Sequence, residues 1–163
     1  STLKDISSSL SIFLVFSTVL FAQQTEEQFK PVTGTDLEFN YGFVGDNAYT
    51  WGVNFGVSHY FTENLYSTLT AGYSNAHFSG YGYSMDAYYI PIQLGFGCSL
   101  GTGVSIDPHI IASLNCGLKG AGTGLGIKIG AGLNFYGIGL VGRYNLGGDN
   151  SDGYFEIALR IGI

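Results

Sequence analysis

Three groups of side chains in this sequence have the types and spacing that chemistry requires. The first is His77-Phe78-Ser79, followed by Asp86. A histidine and a serine two positions apart on an extended chain share one face, as a base and its nucleophile must, and a nearby acid could orient the base. Such a set would carry out acyl transfer or hydrolysis. The second is Asp107 with His109, again two apart. A metal centre would need further ligands that the spacing does not supply, so hydrogen bonding is the plainer role for this pair. The third is a scattered set of charges, Glu38, Asp107, Lys128, Arg143, Glu156 and Arg160, made up of acids and bases in equal number. No zinc spacing or nucleotide fingerprint occurs, and Gly122-Thr123-Gly124 lacks the strand-to-helix setting that a phosphate loop requires. The residue pattern therefore predicts no catalytic set, no metal and no cofactor.

The elements that would position these groups read as β-strands. From Gly153 to Ile163, Phe155, Ile157, Leu159, Ile161 and Ile163 alternate strictly with Tyr154, Glu156, Ala158, Arg160 and Gly162. Period-two alternation of this length marks a strand. The same habit recurs over 36–44, 48–61, 65–76, 86–100, 104–118, 124–136 and 138–145, with turn residues such as Gly45-Asp46-Asn47 and Thr62-Glu63-Asn64 between. A looser stretch, 77–85, separates the third and fourth runs. Pro91 and Pro108 each predict a bulge or a strand end, since proline cannot donate to a ladder. Short connections between eight strands predict consecutive antiparallel pairing in an up-and-down barrel.

Composition decides what surrounds that barrel. Only 11% of residues are charged, against roughly 25% in soluble domains. Glycine numbers 26, aromatics make up 15%, and the net charge of −6 offers no basic patch for nucleic acid. The polar face is built from Gly, Ser, Thr, Asn and Tyr, which suits a crowded lumen better than a wetted surface. The six charges all fall on that face. A balanced set is what a closed interior needs, because an unpaired buried charge is costly. The apolar face therefore points to lipid, and closure satisfies every backbone group without water. A soluble lipocalin-like barrel, with the apolar face inside, is the alternative. Tyr49, Trp51, Phe61, Tyr88 and Tyr144 fall near strand ends, where interfacial girdles form. Cys98 and Cys116 read as small lipid-facing thiols, too far apart along their hairpin to bridge.

The N-terminus supplies an address. Lys4 precedes an apolar run from Leu10 to Phe21, and Ala22 is a plausible cleavage residue, so residues 1–22 read as a secretory signal. Residues 23–35 form a polar lead-in, and 36–163 form the barrel. The expected fold is thus all-β, an eight-stranded antiparallel up-and-down transmembrane β-barrel preceded by a cleavable signal peptide.

The signal ending Phe-Ala-Gln-Gln, the eight alternating runs and Tyr88-Tyr89-Ile90-Pro91-Ile92-Gln93-Leu94-Gly95-Phe96 carry a resemblance. Together they resemble the outer-membrane β-barrel domain family of Gram-negative bacteria, which includes small barrels similar to the OmpA transmembrane domain and the PorT-like proteins. The resemblance implies export, insertion by the barrel-assembly machinery and residence in the outer membrane. Family members usually end in an aromatic residue, whereas this sequence ends in Ile163. The expected function is a non-enzymatic barrel with a structural or surface-contact role and a lumen filled by side chains. A membrane-embedded, lipid-modifying hydrolase acting through His77, Ser79 and Asp86 is a second expectation. An open pore is disfavoured, since eight strands leave room for little beyond packed side chains.

Overall fold

The computed structural model describes residues 32–147 and 153–163. The expected signal segment 1–22 and residues 23–31 of the lead-in lie outside them. Eight strands are present: β1 Val32–Gly45, β2 Ala48–Tyr60, β3 Leu65–Gly80, β4 Tyr83–Cys98, β5 Val104–Leu118, β6 Gly124–Phe135, β7 Ile138–Asn145 and β8 Tyr154–Gly162. Each pairs antiparallel with the next in sequence, and β8 pairs with β1, so the sheet closes into a barrel.

The two-faced habit of the sequence becomes the two sides of the wall. On β4, Ile90, Ile92, Leu94 and Phe96 are exposed on the outside, while Pro91, Gln93, Gly95 and Gly97 are buried inside. On β8, Phe155, Ile157 and Leu159 point out, and Glu156 and Ala158 point in. Cross-strand register keeps like with like: Leu69 lies beside Leu94, and Leu94 beside Ala112. The lipocalin-like alternative required the apolar side chains inside; they are outside. Apolar residues, among them Ala76, Pro91, Ile111, Val141 and Ala158, also fill the lumen between polar neighbours.

Where the strands differ from the sequence reading, the backbone explains why. β1 starts at Val32 rather than Asp36 because Val32–Thr35 pair with Val57–Tyr60, and the Thr35 carbonyl accepts from the Ile163 amide. Residues 77–85 are not a loose segment. They complete one long hairpin that turns at Tyr81-Gly82, both in the left-handed region (φ 49° and 79°), a conformation that favours glycine at the second position. The Ser79 amide donates to the carbonyl of Asn47, so residues past Ser79 project beyond the β1–β2 turn. The alternation fades there because the hairpin outruns β2, whose pairing ends at Ala48 and Phe78, so its two faces no longer separate a lumen from an outer surface.

The prolines produce neither a bulge nor a strand end. Ala71 pairs with Ile92 and Ser74 with Tyr89 in unchanged register, so Pro91 leaves a gap in one ladder. Gly97–His109 and Leu100–Ile106 bracket Pro108 in the same way. Cys116 lies opposite Ile90, and both thiols are free, with Cys98 buried rather than facing lipid.

One inward glycine tests how closely the wall packs. At Gly72, a Cβ would collide with the backbone carbonyl of Val53 and with Asn54. Neither can yield without parting β2 from β3. Gly72→Ala should therefore destabilise the detergent-folded barrel by about 1–3 kcal/mol, read as a lower midpoint in urea unfolding; an unchanged midpoint would mean the two strands separate freely at this level.

Candidate functional site

Arg143 is the centre of the lumen. It sits on β7 with its inward neighbours Val141 and Asn145, and its side chain is 2% exposed. Its Nη1 and Nη2 donate to Glu38 Oε1 and Oε2 at 2.6 and 2.5 Å, a two-pronged pair reaching from β7 to β1. Nη1 also donates to Glu156 Oε1 at 3.1 Å, on the adjacent β8. Nε donates to His109 Nε2 at 3.0 Å, and His109 Nδ1 lies 2.9 Å from the carbonyl oxygen of Asp107. An arginine can only donate, so Nε2 is the accepting nitrogen of His109 and Nδ1 carries the proton to the carbonyl. Lys128 donates to the remaining Glu156 oxygen at 2.8 Å. Planar guanidinium and carboxylate groups in this arrangement make strong, directional pairs.

Five of the six charges expected in the lumen therefore meet: Glu38, Lys128, Arg143, Glu156 and Arg160. Asp107 does not join them through its carboxylate. That group accepts from Ser105 Oγ at 3.0 Å and from Asn134 Nδ2. It reaches the network only through its backbone carbonyl and His109. The reason is local, since Ser105 shares its face and Asn134 stands on the neighbouring strand, so both donors are closer than any cation. His109 was legible as a lumen hydrogen-bonding residue, but its place against Arg143 was not.

Arg160 is the peripheral member. Its side chain is 17% exposed, and its Nη2 and Nε lie 3.3 and 3.4 Å from Glu38 Oε2. Arg160→Leu should lower the thermal midpoint of the detergent-folded barrel by an amount equivalent to about 1 kcal/mol. An unchanged midpoint would place Arg160 outside the packed network.

The lumen differs at its two ends. Toward Val32 and Gly162, Tyr66 is buried against Gly97, with the Tyr60 ring tilted beside it at 5.2 Å between centroids. Asp107, Asn134 and Arg160 crowd the same end. Above the Lys128–Glu156 pair, the opposite end widens into a cavity of about 1030 Å³ lined by both polar and apolar residues of several strands.

The remaining chemical group is on the outside of the wall. His77 Nδ1 lies 2.8 Å from Asp86 Oδ1 across the β3–β4 ladder. The His77 ring stacks on Tyr49 at 4.9 Å, and Tyr49 on Tyr41 at 5.7 Å. Trp51, Tyr73 and Tyr88 continue this aromatic band, with Lys119 Nζ over the Tyr88 ring at 5.5 Å. Ser79 Oγ donates to the Asn47 carbonyl at 3.3 Å. The structure thus joins His77 to Asp86 and gives Ser79 a backbone partner instead. Among the described residues, no three His, Cys, Asp or Glu side chains gather to hold a metal ion.

Comparison with solved structures gives the wall its setting. A barrel from the de novo design of transmembrane β-barrels superposes with a TM-score of 0.52 at 14% identity, covering 80% of this chain and 95% of the designed one. This chain has a transmembrane β-barrel fold. A second designed barrel, TMB2.3, known from a solution NMR structure, gives 0.49 at 16% identity, covering 84% and 98%. The outer membrane enzyme PagL gives 0.46 at 18% identity, covering 78% and 98%. At these identities the likeness concerns fold alone. No family model matches the sequence, and no curated protein matches it. The outward apolar bands of β4 and β8 are accordingly the surface such a barrel presents to lipid.

Proposed function

We propose that this chain is an integral outer-membrane β-barrel protein with a structural or surface-contact role, its lumen closed by side chains. The observation that carries this reading is the Arg143 network. A buried guanidinium held by Glu38 two strands away and by Glu156 on the strand between ties three strands together, with Tyr60 and Tyr66 crowding one end. Such a barrel spans the bilayer without conducting, and its partners are lipid and, during insertion, the barrel-assembly machinery. Nucleic acid is not among them. β7 ends at Asn145 and β8 begins at Tyr154 at the barrel end away from Val32, the end that would carry the longer surface loops of a bacterial barrel.

Cell fractionation combined with electrophoresis of unheated and heated samples tests this reading. Recovery in the outer-membrane fraction with heat-dependent mobility is expected; recovery as a detergent-free soluble protein would end it. In planar bilayers, steps of large conductance would show that the network does not close the lumen.

One observation favours a second reading. The contact between His77 and Asp86 is that of an oriented base, placed on the outer wall within an aromatic band. A lipid-modifying hydrolase would use Ser79 as nucleophile, after its hydroxyl leaves the Asn47 carbonyl and turns to His77. Lipid acyl chains released by the wild-type barrel but not by Ser79→Ala would establish it, and equal release by both would remove it.

A further inference from the structure

We propose that the cavity at the loop end of the lumen is a binding site for a neutral, hydroxyl-rich small molecule, a saccharide of one or two rings. This goes beyond a structural or surface-contact role. The first ground is the chemistry of the wall. Six carboxamides line the cavity: Asn40, Asn54, Asn75, Gln93, Asn115 and Asn145. They come from β1, β2, β3, β4, β5 and β7, so they surround the space rather than cluster on one strand. Three have their oxygens engaged by the protein. Gln93 Oε1 accepts from Thr70 Oγ1 at 3.1 Å, Asn115 Oδ1 from Ser113 Oγ at 3.0 Å, and Asn145 Oδ1 from the Gly147 amide at 3.0 Å. Their oriented NH₂ groups remain to donate to an occupant.

Asn54 supplies a second and independent ground. It is 1% exposed, lines the cavity, and neither its Oδ1 nor its Nδ2 has a hydrogen-bond partner. A wholly buried carboxamide with both bonds unmade is costly and rare, and the deficit calls for a partner the protein itself does not supply. Gly72 opposite it leaves no room for another residue's side chain to serve, since even a Cβ there would strike Asn54.

Charge and shape set the ligand class. The only charged side chains lining the cavity among the described residues are Lys128 and Glu156, which neutralise each other at 2.8 Å. An ion of either sign would find no counter-charge. An apolar ligand would leave the carboxamides unmatched. Sugar hydroxyls both donate and accept, as carboxamides do, and the inward rings of Tyr89 and Tyr154 offer apolar faces for the C–H side of a sugar. A volume of about 1030 Å³ is ample for a disaccharide with its bridging water.

The test uses the full chain folded in detergent micelles and isotopically labelled, with maltose and N-acetylglucosamine as probes and glucuronate and cyclohexanol as charged and apolar controls. Saturable shifts of the Asn54 and Gln93 side-chain amide signals with a neutral sugar, and not with the controls, are expected. Gln93→Leu should weaken that binding about tenfold. Asn54→Ala should weaken it as much while leaving the sugar-free barrel equally or more stable, since it removes an unmatched group. A fall in sugar-free stability would instead assign Asn54 a structural role and overturn the second ground. Three further outcomes overturn the proposal: no shift with either sugar, meaning a cavity filled by water only; preferential binding of a control; or sugar binding that both variants leave unchanged. Should Asn54→Ala fail to fold, Gln93→Leu decides.

Discussion

Arg143→Met is expected to lower the unfolding free energy of the detergent-folded barrel by about 3–5 kcal/mol. The side chain it removes is almost wholly buried and neutralises Glu38 and part of Glu156. Methionine of similar length fills the space, so the loss reports charge rather than volume. Without Arg143, Glu38 keeps only the longer contact from Arg160, and Glu156 keeps Lys128. His109 Nε2 loses its donor as well. The cost comes from leaving a buried carboxylate underpaired, not from the pair's net worth. Adding Glu38→Gln to Arg143→Met should accordingly recover part of the loss, because a carboxamide tolerates the site better than an orphaned charge. Urea titration followed by gel mobility measures both variants. A loss below ~1 kcal/mol, or no recovery in the double variant, would mean that water solvates Glu38 and the lumen is not closed at this level.

The reason this network could be anticipated is that strand phase is a strict rule. Once Glu156 and Arg160 fell on the opposite face from Ile157 and Leu159, every residue in step with them had to share the same side. Glu38, Lys128, Arg143 and the other strands' charges followed by the same count. Phase cannot say which charges meet, however. Asp107 is in step with Arg143 yet bonds to Ser105 and Asn134, because pairing depends on the register between strands and on height along the barrel. The loop-end cavity was invisible for a related reason. It arises where inward Gly124 and Gly126 and short carboxamides coincide in height on several strands, and no single strand carries that signal. The β3–β4 hairpin is hard to read because its tip, with Tyr81 and Tyr83 exposed, stands beyond the closed wall and has no lumen face to enforce alternation. Conversely, His77 and Asp86 were visible as residue types, but their contact depended on the turn at Tyr81-Gly82, which sets them opposite each other.

Leu94→Arg separates a membrane barrel from a barrel in water more sharply than any change in the lumen. Leu94 is exposed in the middle of the outward row of β4, between Ile92 and Phe96, with Leu69 and Ala112 on the adjoining strands. In water, an arginine at an exposed strand position shifts stability by no more than about 0.5 kcal/mol, and here it would replace an apolar surface group. In a bilayer the same guanidinium stands in hydrocarbon, with a cost of about 2–4 kcal/mol near the midplane. The side chain cannot turn inward, because strand phase fixes it on the outer face. No carboxylate lies beside it, since its cross-strand neighbours are apolar. Unfolding in lipid vesicles should show that loss, while Tyr81→Arg at the hairpin tip should leave stability nearly unchanged. The ratio of the two effects measures how deep β4 sits in lipid. If both variants were equally mild, the apolar band from Ile90 to Phe96 would face something other than lipid, and the closed lumen would need another explanation than life in a membrane.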